Sequence, residues 1–182
     1  MDEHYDYSYI KSLNIKIDVP FVIRGLQLKM ITKKFVEDFA LSSLENEDQP
    51  TIQIVDLAWG VHSEIDALEL LISSIEKPDL KAQYNHLPEI YRNEEEFDHE
   101  IWKWRYVNLI HAFNHYKSQH ELFESIDIIY ARFGFPDDMY ELIYYHPTKT
   151  VSLLTPEEAQ QKLESAILHF VNKQKHLFVS NP

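Results

Sequence analysis

Residues 93–117 read NEEEFDHEIWKWRYVNLIHAFNHYK, and this stretch decides the fold. Asn93 suits an N-cap, because its short side chain can accept a hydrogen bond from a free amide of the first turn. Glu94, Glu95 and Glu96 follow where the positive end of a helix dipole favours carboxylates. Phe97, Ile101, Trp104 and Asn108 share one stripe at helical spacing, and Trp102, Tyr106, Leu109, Phe113 and Tyr116 share the adjacent one. The spacing therefore predicts one helix from Glu94 to about Lys117, roughly 35 Å long. Apolar residues cover so much of its circumference that it is expected at the centre of the fold.

Outward from this helix, the chain reads as further helices separated by proline, glycine and polar breaks. Three glycines in 182 residues are too few positive-φ positions for a fold built from hairpins. Asp18 or Val19, ahead of Pro20, starts a helix carrying Val22, Ile23, Leu26 and Met30, with Gly25 as a point of close packing. Thr32 can cap the next, whose stripe is Phe35, Val36, Phe39, Ala40 and Leu44 before the polar break ENEDQP. A short helix from about Pro50 to Trp59 stops at Gly60. Ser63 and Asp66 make a variant capping box for a helix expected to bury Ile65, Leu68, Ile72 and Ile75.

On the C-terminal side, Leu122, Ile126, Ile129, Tyr130 and Phe133 form a helix ending at Gly134. Pro136 starts another, with Phe135 placed as a hydrophobic staple and Asp137 and Asp138 in the dipole-favoured first turn. Thr155, Pro156 and Glu158 open the last, a capping box with proline at N1. It turns Leu163, Ala166, Ile167 and Phe170 inward and places Lys173, Lys175 and His176 near its negative end.

These readings predict an all-α protein: one domain over 1–182, an irregular bundle of about seven to eight helices around the 94–117 helix. Residues 79–92, with Pro88 and no sustained period, are expected to be a surface loop. Leu13, Ile15, Ile17 and Val19 alternate with polar residues, predicting an N-terminal arm over 1–17 or a short edge strand.

Charge narrows the partners. Thirty acidic side chains against 17 basic ones give a formal net charge of -13, which repels phosphate backbones and anionic lipid headgroups. Neither nucleic acid nor a membrane is expected as a partner; a basic protein is the candidate one, against the plainer reading that net charge simply keeps a protein soluble. The absence of cysteine excludes disulfides and thiolate chemistry and fits a reducing cytoplasm. The opening residues MDEHYDYSYI carry neither a basic n-region nor an apolar h-region, so export is not expected.

Few residues suggest catalysis. His111 and His115 lie four apart, which can set two imidazoles on one helix face for a transition metal. The intervening sequence, HAFNH, lacks the glutamate of a zinc protease; a third ligand, Asp127 or Glu141, would have to come from the fold. The plainer reading makes them ordinary helix histidines. There is no phosphate loop, dinucleotide fingerprint or serine elbow, so no cofactor and no catalytic residue are assigned. The acidic runs Glu94, Glu95, Glu96, Asp98, Glu100 and Glu45, Glu47, Asp48 are candidate partner-binding residues, against the simpler reading of helix caps and solvated faces. The tyrosine-rich HYDYSY and ELIYYHP are either contact surfaces or half-buried core edges.

KWRYVNLIHAF followed by SIDIIYARFGFPDDMYELIYYHP resembles a bacterial family known as a domain of unknown function and numbered twenty-two forty-seven. Lys103, Trp104 and Tyr106 match its aromatic helix. Ile129, Tyr130, Ala131 and Phe133, then Phe135, Pro136, Asp137, Asp138 and Met139, match its acidic junction, and Tyr145 and Pro147 its ending. Arg132 stands where the family pattern has an acidic residue. The resemblance implies a mostly helical intracellular bacterial protein without established activity; some such small acidic families look like immunity proteins that neutralise a toxin domain. The expected function is accordingly a non-catalytic protein-binding module, the alternatives being a metal-dependent enzyme on His111 and His115 or a scaffold or oligomer subunit.

Overall fold

The computed structural model describes residues 4–46, 50–75, 95–144 and 155–178. Apart from an isolated bridge residue at Ile15, the regular structure among them is helical, as the sequence predicts. The chain divides into two compact units between Glu100 and Ile101, a boundary that falls inside the longest central segment.

The first unit carries α1 (Tyr7–Ser12), α2 (Val19–Gln27), α3 (Lys33–Asn46), α4 (Ile52–Trp59) and α5 (Glu64–Ser73). Asp18 caps α2, its carboxylate accepting from the Phe21 amide at 3.2 Å. Pro20 costs nothing there, because first-turn amides have no intrahelical partner. α2 ends in a Schellman motif: Met30 N donates to Gly25 O at 2.9 Å and Lys29 N to Leu26 O at 3.0 Å. Lys29, at φ 54°, occupies the left-handed position usually held by glycine. Thr51 and Ser63 cap α4 and α5 by accepting from Ile54 N and Asp66 N, and Gly60 ends α4 at φ 99°. α3 packs on α4, and α5 packs on α2, α3 and α4. The unit's buried residues include Phe21, Val22, Ile23, Phe35, Val36, Leu57, Ala67 and Leu71.

Two local expectations are corrected here. The segment read as an arm or strand contains α1, which packs on α3 and sets Tyr7 edge-on against Phe35 with centroids 5.4 Å apart. The alternation at Leu13, Ile15 and Ile17 makes no strand: Ile15 is buried but forms only an isolated bridge, and the other buried residues of the segment, Tyr5 and Ile10, lie before the alternation. In α5 the inward residues are Ala67, Leu71 and Ile72, and Ile65 is exposed. Apolar residues surround this helix, so periodicity alone could not choose the face; packing against α2, α3 and α4 did.

The long helix, α6 (Glu95–His115), runs on into the second unit, with α7 (Gln119–Arg132), a 3-10 turn (Asp137–Met139), α8 (Tyr140–Tyr144) and α9 (Pro156–Phe178). From Lys103 to Leu109 every residue of α6 is buried, as its all-round aromatic pattern predicts. Asn93, Glu94 and the 79–92 segment lie outside the described residues. Ser118 caps α7 by accepting from Glu121 N. The α9 capping box is reciprocal: Thr155 N donates to Glu158 Oε2 at 2.8 Å and Glu158 N to Thr155 Oγ1 at 3.2 Å.

The junction after α7 differs from its reading. Phe135 N donates to Tyr130 O at 2.9 Å and Gly134 N to Ala131 O at 3.1 Å, a Schellman motif with Gly134 at φ 76°. The Phe135 ring meets Tyr130 edge-on at 5.3 Å. Phe135 thus seals the end of α7, the hydrophobic contact such motifs favour, and is not a staple for the following turn. Pro136 takes the cap position ahead of the 3-10 turn that Asp137 opens.

Candidate interaction surfaces

Five sets of residues could act on another molecule. The first is the predicted acidic surface. Glu45 is exposed near the end of α3. Glu47, Asp48 and Glu94 lie outside the described residues, and for Glu95, Glu96 and Asp98 the described part is the α6 backbone. Glu100 is 6% exposed and so does not belong to a surface.

The second is the histidine pair. His111 and His115 stack, centroids 4.3 Å apart and planes 23° from parallel, and His115 Nδ1 lies 2.9 Å from the His111 carbonyl oxygen. Imidazole binds metal through a lone pair in its own plane, so two nearly parallel rings do not converge on one ion in this arrangement. Among the described residues no group of three or more His, Cys, Asp or Glu is placed to hold a metal.

The third is the Asp137–Asp138 junction. Asp138 Oδ1 accepts from Arg105 Nη1 at 2.6 Å. The Arg105 side chain is 4% exposed and that of Asp138 44%, so the pair joins a buried cation to a carboxylate at the surface. Arg105 also lies over the Trp102 ring at 5.9 Å. Asp138 therefore neutralises a buried charge on α6, a role beyond the helix-start preference read from sequence; Asp137 stays exposed. Nearby in the same unit, burial pushes the Tyr106 phenol above its ordinary value. A hydrogen bond from Tyr116 Oη to Glu164 Oε1 at 2.8 Å does the same to Tyr116.

The N-terminal tyrosines are partly consumed by packing: Tyr5 is buried and stacks on Tyr9, and Tyr7 meets Phe35. The Tyr144 and Tyr145 side chains lie outside the described set.

The fifth set was not found from the sequence. Ile52 and Trp59 on α4 and Ile65 on α5 are large apolar side chains left in solvent. Their signal in the sequence was an apolar excess: a helix reading IQIVDLAW has more apolar residues than one buried face can use.

The family described as "Uncharacterized protein conserved in bacteria (DUF2247)" matches residues 7–175, and the chain belongs to it. No curated protein and no solved structure matches the chain. Among the described residues, no helix is long and apolar enough to cross a membrane.

Proposed function

We propose that this member of the DUF2247 family is a non-catalytic protein-binding module of the bacterial cytoplasm, of the kind an immunity protein represents. Its partner on this reading is a basic domain such as a toxin, whose positive active-site surface it covers. The observation that carries the reading is the charge, -13 over 182 residues. A field of that sign repels nucleic acid and draws in a cationic protein.

The test begins with the product of the adjacent gene. Co-expression of the chain with a toxin-like domain encoded there is expected to rescue growth. Stopped-flow association of the purified pair is expected to slow by about tenfold or more as salt screens the attraction. A neighbouring gene that encodes no toxin-like domain, together with no protection of any cell, removes the proposal.

A further inference from the structure

We infer that the corner where α4 ends and α5 begins is the docking surface of this protein for a basic protein partner, with Trp59 as the anchor. The inference rests on the protein-binding reading above and adds the surface and its chemistry.

Ile52, Asp56 and Trp59 are spaced four and then three residues apart and so share one face of α4. Ile52 is 71% exposed and Trp59 86%, while Ile54 and Leu57 turn into the core. Ile65, in the first turn of α5, is 69% exposed. Residues 60–63 alone separate the two helices, which pack on each other, so Trp59 and Ile65 belong to the same corner. A tryptophan is the side chain most often found to dominate a protein interface, and one left in water is a large apolar area available to a partner.

The corner is also held in shape. Lys33 Nζ donates to the Val61 carbonyl at 3.3 Å, tying the linker to the start of α3. Glu37 Oε1 of α3 stands 3.6 Å from where a Cβ on Gly60 would be. Gly60 itself, at φ 99°, takes a conformation that L side chains rarely adopt. An anchor presented by a fixed turn loses less entropy on binding than one on a loose loop.

Charge selects the occupant. Asp56 is exposed between Ile52 and Trp59, and Glu64 and Glu69 are exposed beside Ile65. Apolar anchors rimmed by carboxylates complement an apolar pocket rimmed by lysine and arginine. A second copy of this chain, or a nucleic acid, would bring like charge to the same rim.

The experiment is site-specific photo-crosslinking in the native cell. p-Benzoylphenylalanine is placed at Ile52 and, as a control in the other unit, at exposed Leu168. The expected result is an adduct from position 52 to a protein of basic composition, weaker by about thirtyfold with Trp59→Ala and by a similar factor with Asp56→Lys plus Glu64→Lys. Circular dichroism of these variants is expected to be unchanged, since the altered side chains are exposed. An adduct from 168 and none from 52 overturns the surface while leaving the binding reading intact. Adducts from neither position overturn both. An adduct from 52 to a second copy of the chain, or one indifferent to Trp59→Ala, overturns the assignment.

Discussion

Trp104 and Trp59 sit at opposite ends of the burial scale, the first with 0% of its surface exposed and the second with 86%. Around Trp104 on α6, Lys103, Arg105 and Asn108 are buried as well, so polar groups have been taken into the interior with an aromatic. Around Trp59 the arrangement is inverted: apolar side chains stand in solvent beside carboxylates. Scattered exposed hydrophobics are ordinary; charges in the interior and large aromatics in water are the informative cases. The α6 segment draws its stability from what it buries, whereas the exposed side chains of the α4 corner add little to folding.

The largest expected effects divide along that line. Trp104→Ala is expected to destabilise the protein by about 3–5 kcal/mol through lost contacts and a cavity. Trp59→Ala should stay within about 0.5 kcal/mol, as for other surface changes. Urea unfolding measures both, and equal losses would show Trp59 to be a core residue and dissolve the contrast.

Arg105 sharpens the comparison from the polar side. Arg105→Ala is expected to cost about 3 kcal/mol, since it removes a buried stem and its ion pair together. Asp138→Asn should cost about 1 kcal/mol or less, because an amide oxygen or water can still meet the guanidinium at that half-open position. Thermal denaturation of the two variants would contradict this asymmetry if Asp138→Asn were the more damaging.

The smallest effect concerns pH. The Tyr116 phenol is raised above its ordinary 10.0 chiefly by donating to Glu164, with burial and the carboxylate charge adding to the shift. A raised folded-state value means that the group's stabilisation is fully present below about 10 and fades as pH climbs through the folded value. Wild type should therefore exceed Tyr116→Phe slightly at neutral pH, and the difference should vanish in strong alkali. A constant difference across that range would assign the effect to packing.

Much of the fold was legible because it depends on neighbours in the chain. Asp18, Ser63 and Thr155 cap helices through amides three residues on, so a short window of sequence holds both partners. Gly60 and Gly134 likewise mark stops through their own backbone angles. The candidate surface was barely legible. Glu100 read as a surface acid and is buried, and Ile65 read as core and is exposed. Asp138 read as a helix-start residue and also pairs with Arg105, 33 positions away.

The sequence by itself determined the all-helical class, most helix ends and the burial of the α6 centre, because capping, dipole and apolar density act within a turn or two of chain. Tertiary structure alone decided which face of α4 and α5 turns inward, which charge neutralises Arg105, and that Trp59 faces water. Those outcomes depend on residues far apart in sequence competing for one limited interior, and a helix that is apolar on several sides carries no local mark of the side that wins.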